Sequence, residues 1–157
     1  MEINVLIEEG LEEYPEVNWL QSVAERVLTA QNITSEVEMG LVITSQERVQ
    51  ELNQKYRGLD EPTDVLAFSM LPDKKMPEVD FPPPPDGVRH LGEVIISYPQ
   101  AVIQAKEHQH SIKREIVILI IHGTLHLLGY DHETPELEHD MRTKEAESLS
   151  FIEGGIG

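Results

Sequence analysis

The sequence predicts a single domain that combines about four strands with about five helices and carries a metal site on its central helix. Three observations carry this. At 157 residues the chain suits one domain, which buries about two-thirds of the surface its unfolded form exposes. Its apolar residues switch between the strand period of about 2 and the helix period of about 3.6. An unbroken apolar run, Ile116 to Ile121, leads directly into His122-Gly-Thr-Leu-His126-Leu-Leu-Gly129-Tyr-Asp-His132.

Taken in order, Ile3, Val5 and Ile7 share one face of a first strand, although Leu6 breaks strict alternation. A helix follows from Asn18 to about Gln31, with Trp19, Leu20, Val23, Val27 and Leu28 as its apolar stripe. Val37 to Thr44 alternates cleanly as a second strand. Ser45 is an N-cap for a helix to about Tyr56, with Val49 and Leu52 facing inward. Val65 to Met70 reads as a third strand and His90 to Ser97 as a fourth. Pro99 starts a helix to about His108, because proline fits the first helical turn. The next helix spans Ile112 to Leu128, and Pro135 starts the last, to about Ser150. Residues 72–88 contain four consecutive prolines, which cannot donate to a sheet and favour an extended loop insertion. The domain thus runs over 1–153, with 154–157 a flexible, glycine-rich tail.

The histidine block names a chemistry. Residues four apart share one helix face, so His122 and His126 can reach a single ion without bending the backbone. That requirement decides for helix over strand in the apolar run, where periodicity alone does not. Gly129 can end the helix in the left-handed conformation and return His132 as a third ligand. Three imidazoles with a coordination position left open describe a catalytic zinc site rather than a structural one. The spacing equals that of the metzincin peptidases, except that their general-base glutamate is replaced by Gly123, which has no side chain to move a proton. A metal-dependent hydrolase is expected, with one zinc ion per chain.

Composition narrows the setting. There is no cysteine, which excludes disulfides and thiolate metal sites. Neither a signal peptide nor a run of about 20 apolar residues is evident, so a soluble, cytoplasmic protein is expected. The net charge of −17 is awkward for a nucleic-acid partner, since phosphate affinity normally comes from Lys and Arg. Eight of the 12 basic residues, however, lie between residues 52 and 121. Lys55, Arg57, Arg89, Lys106, Lys113 and Arg114 could line a positive groove on an acidic body, or be scattered solubilising charges.

Arg57 opens a second informative stretch, Arg57-Gly-Leu-Asp60-Glu61-Pro62-Thr63-Asp64, between a helix and a strand. A guanidinium offers a rigid fork of donors suited to phosphate oxygens and to charge building in a transition state. Alternatively, Arg57 pairs with Asp60, Glu61 or Asp64 to hold the loop. Asp131 could orient a ligand imidazole or cap the turn after Gly129; His139 and Tyr130 rank lower.

Tyr56-Arg57-Gly-Leu-Asp60-Glu-Pro62-Thr63-Asp64-Val65-Leu66-Ala-Phe68, then Leu91-Gly92-Glu93-Val94-Ile95-Ile96-Ser97, then the three-histidine block, resemble the YbeY endoribonuclease family in content and order. Asp64 stands where the family often has asparagine, and Glu93 where aspartate is common. The resemblance implies a small α+β fold, its mixed sheet of about four strands packed by helices. It implies a zinc-dependent endoribonuclease that prefers single strands, with roles in ribosomal RNA maturation at the 3′ end of small-subunit (16S) RNA and in ribosome quality control. Ribosomal RNA and the small ribosomal subunit or its assembly factors are the implied partners. It also implies that His122, His126 and His132 hold the metal and that Arg57 is needed for cleavage. A zinc metallopeptidase and a non-catalytic, metal-stabilised ribosome-assembly factor are the competing readings.

Overall fold

A computed structural model describes residues 1–8, 15–33, 36–61, 63–70, 88–130 and 134–156, with side chains as far as residue 152. Its elements are β1 (Glu2–Ile7), α1 (Val17–Ala30), β2 (Val37–Thr44), α2 (Gln46–Arg57), β3 (Val65–Ser69), β4 (Arg89–Ser97), α3 (Tyr98–Glu107), α4 (Ile112–Leu127) and α5 (Pro135–Ile156). The four strands and five helices match the expected fold class, with end differences of a residue or two everywhere except at α5. The proline-rich stretch expected at 72–88 lies, except for Val88, outside the described residues.

The sheet runs β1-β2-β4-β3. β1, β2 and β4 are parallel, and β3 joins β4 antiparallel as an edge strand. Strand alternation explains how the two faces are filled. Val37, Met39, Leu41 and Ile43 of β2, with Val94 and Ile96 of β4, point into the main core beside α1 and α4. Ile95 and Leu66 point the other way and meet Val49 of α2. Leu6, the residue that broke the alternation of β1, is 62% exposed.

α4 is the central helix. Ten of its 16 residues are buried, and it packs against α1, α3, α5, β3 and β4. Burial all round explains its continuous apolar run. Local signals set the helix ends. Ser45, Ser97 and Ser111 each accept the backbone N–H three residues on, capping α2, α3 and α4. α5 continues past the expected end near Ser150, through Gly154 and Gly155 to Ile156, into the stretch expected to be a flexible tail. Burial of Ile152 in the core offsets the roughly 1 kcal/mol that each helical glycine costs.

Candidate metal centre and cleft

Two turns of α4 lie over the β3–β4 edge of the sheet, and a cleft of about 350 Å³ opens there. It is lined by Arg57, by Thr63 to Ala67, and by His122, Gly123 and His126. The sequence-predicted pair and the predicted arginine thus share one cavity, although Arg57 comes from the last residue of α2 on the opposite side of the sheet. Gly58, at φ +72°, ends α2 directly after Arg57 and lets the chain turn around the sheet edge. The turn is tied by Asn53 Nδ2 donating to the Glu61 carbonyl, by Asp64 Oδ1 accepting from the Val65 N–H, and by the Ser97 N–H donating to the Asp64 carbonyl.

His122 and His126 are stacked as helical spacing requires, their rings 4.6 Å apart and nearly perpendicular. Their Nε2 atoms are 3.1 Å apart. Zn–N bonds of about 2.0–2.1 Å at a tetrahedral angle put two ligand nitrogens about 3.3–3.4 Å apart, so the pair is close to one edge of such a site. The other ring nitrogen of His122, Nδ1, donates to Glu145 Oε1 of α5 at 3.4 Å. That contact leaves the Nε2 lone pair facing His126, the arrangement in which a carboxylate orients a metal-binding imidazole. The negative end of the α4 dipole adds a preference for a cation at this turn. The donor set and spacing fit a zinc-class ion.

The turn after α4 is built as expected from its glycine. Gly129 has φ +100°, its N–H donates to the His126 carbonyl, and the Tyr130 N–H donates to the Leu125 carbonyl. These two bonds form a Schellman motif and reverse the chain. His132 and Asp131 lie just beyond, at 131–133, outside the described residues.

Gly123 has a packing reason that the sequence did not disclose. A Cβ there would meet Val94 Cγ1 at 2.5 Å and Val65 Cγ2 at 3.3 Å. The position that bears glutamate in the peptidase pattern is here the contact point of helix and sheet.

The other candidates sort clearly. Arg57 is exposed and, among the described residues, forms no ion pair with Asp60, Glu61 or Asp64, which removes the loop-holding alternative. Asp60 instead accepts from Gln50. Of the six basic residues that could have lined a groove, Arg57 alone lines the cleft. Lys113 lies over the Trp19 ring and Lys55 over Tyr56. His139 is on the exposed face of α5, and Tyr130 packs against the core. Sequence reasoning missed Glu145, whose part depends on where α5 docks. It also missed His108, His110 and Glu115, whose ligand atoms lie within 4.8 Å of one another and could hold a metal ion.

Comparison with known proteins decides the family. The family model described as Endoribonuclease YbeY matches residues 7–153. The chain belongs to the YbeY family. A relative from Dehalococcoides mccartyi, named Endoribonuclease YbeY, is 48% identical over 155 residues, covering 97% of this chain and 90% of the relative. A second of the same name, from Roseiflexus, is 44% identical over 134 residues, covering 85% of this chain and 81% of its own. A third, from Chloroflexus aurantiacus, is 38% identical, with 96% and 94% covered. The YbeY-like fold is also similar to the solution structure of a Thermotoga maritima protein at a TM-score of 0.58 and 24% identity, covering 97% of this chain and 92% of that one. No described helix is long and apolar enough to cross a membrane.

Proposed function

We propose that this chain is a zinc-dependent endoribonuclease that cuts single-stranded RNA. Its expected setting is the cytoplasm, where it acts in maturation of the 3′ end of small-subunit ribosomal RNA and in ribosome quality control. Ribosomal RNA and the small subunit or its assembly factors are its expected partners. Membership of a family whose curated relatives bear the name Endoribonuclease YbeY supports the reaction class. The observation that carries the reading is the convergence of Arg57, His122 and His126 on one cleft.

In this reading His122 and His126 hold the ion, with His132 as the third ligand supplied after the Gly129 reversal. The ion, when bound, supplies Lewis acidity to a phosphate oxygen or to water. Glu145 fixes the tautomer and ring angle of His122, so that Nε2 stays available. Arg57, exposed at the rim and unpaired with its neighbouring acids, grips non-bridging phosphate oxygens with its planar fork and stabilises the charge that grows on them. Position 123 moves no proton.

The packing of Gly123 against Val94 argues against the peptidase reading, since the glycine supplies no base and a Cβ there would overlap Val94. Incubating the intact protein with a ribosomal RNA precursor and, separately, with casein tests the choice. RNA cleavage without casein cleavage is expected; the reverse would overturn the proposal. If the metal only stiffens the fold, Arg57→Ala should be harmless while His126→Ala unfolds the protein.

A further inference from the structure

We propose that His108, His110 and Glu115 form a second divalent-metal site, separate from the cleft, which takes a zinc-class cation and clamps the turn between α3 and α4. The backbone sets up the site. α3 is capped at His108, and Gln109 takes a left-handed φ of +57°. The Gln109 N–H donates to the Lys106 carbonyl and the His110 N–H to the Ala105 carbonyl, which closes a Schellman turn. Ser111 then caps α4. Two imidazoles are therefore delivered, one on each side of a single turn residue, to Glu115 in the first turn of the next helix.

Glu115 is the unusual member. It is 2% exposed, and its side-chain partners among the described residues are the two imidazoles alone. Its Oε2 stands 2.7 Å from His110 Nε2 and 3.2 Å from His108 Nδ1. A buried carboxylate is costly unless its charge is compensated. The two imidazoles offer it hydrogen bonds, and the α4 N-terminus offers about half a charge. A divalent cation supplies the rest. The three donor atoms lie within 4.8 Å of one another, and the two nitrogen–oxygen separations of 2.7 and 3.2 Å compare with about 3.3 Å between ligands of a tetrahedral zinc.

Two nitrogens and one carboxylate oxygen favour zinc, cobalt or nickel over magnesium or calcium. His108 is 56% exposed, which gives the ion a route in and leaves coordination positions for water. Glu115 precedes His122 by seven residues on α4, or about 10 Å along the axis. Metals that share one reaction sit about 3.5–4 Å apart. The second ion is therefore structural, tying α3 to the helix that carries the cleft histidines.

The test uses the intact protein in a His126→Ala background, which weakens the cleft site, so that failure of the cleft reading and failure of this one are separable. Equilibrium dialysis against Zn²⁺, and against Co²⁺ with its absorption spectrum recorded, should leave about one ion per chain there. Adding His108→Ala, a change at an exposed position, should weaken that remaining ion by at least about ten-fold, as loss of a ligand does, and abolish the rise in Tm that zinc produces. His110→Gln is the second variant should His108→Ala alter the circular dichroism spectrum. Mg²⁺ should neither compete nor raise Tm. Equal zinc binding with and without His108 and His110, or no zinc binding by the His126→Ala protein at all, would overturn the proposal and leave a hydrogen-bonded latch.

Discussion

Arg57 and Glu145 act on the cleft in different ways, and each invites its own experiment. Arg57 is exposed and, among the described residues, forms no ion pair with Asp60, Glu61 or Asp64, so truncating it removes little packing. Arg57→Ala should lower RNA cleavage about 10²–10³-fold, the usual consequence of losing one transition-state donor, while the denaturant midpoint stays within error. Arg57→Lys should recover little, because an ammonium lacks the planar fork. Glu145 touches His122 rather than substrate. Glu145→Gln should therefore weaken zinc affinity about 10–100-fold, read by competition with a chromophoric chelator, and excess zinc should restore cleavage. The His122–His126 pair was legible from sequence because a four-residue spacing on a helix is a local property. Glu145 was not, since only the docking of α5 brings it to His122, 23 residues away in sequence. His108 and His110 were missed because their convergence depends on a left-handed turn at Gln109, where no glycine announces it.

Helix α4 works as the element that it is because two glycines serve opposite purposes. Gly123 permits close approach, and a methyl group there would press on Val94, which is fully buried. Gly123→Ala should destabilise the protein by about 1–3 kcal/mol, the usual cost of overpacking, measured from urea midpoints at constant m. Gly129 permits reversal. Gly129→Ala should cost about 1–2 kcal/mol, because an L-residue is strained in that conformation, and should lower zinc affinity as well if the turn delivers His132. A loss of stability with unchanged zinc affinity would remove His132 from the ligand set. The Ser45 cap, Pro99, Pro135 and the apolar stripes made most element ends legible. The end of α5 was misread because two glycines signal a stop, whereas burial of Ile152 extends the helix.

Across the whole molecule, charge and topology set the terms of substrate binding. The chain carries a net charge of −17, and Arg57 is the one basic residue lining the cleft among the described residues. RNA affinity should accordingly fall only weakly with salt. Each neutralised phosphate contributes about −0.7 to the slope of log K against log salt for single strands, so a total slope no steeper than about −2 is expected. A steep slope would point to a basic surface elsewhere. Four strands and five helices could be read from apolar patterning, helix-starting prolines and the four-residue histidine spacing, but not the order β1-β2-β4-β3, which depends on long-range pairing. That order makes β3 an edge strand, so that Arg57 at the end of α2 and the chain that follows it around this edge meet the histidines in one cleft.

The most direct test of the account is cleavage of a ribosomal RNA precursor by the intact protein before and after chelation, with metal content measured at each stage. The account predicts that cleavage disappears as zinc is stripped and returns when zinc is restored. Metal-free protein that still cuts the RNA at full rate would contradict it.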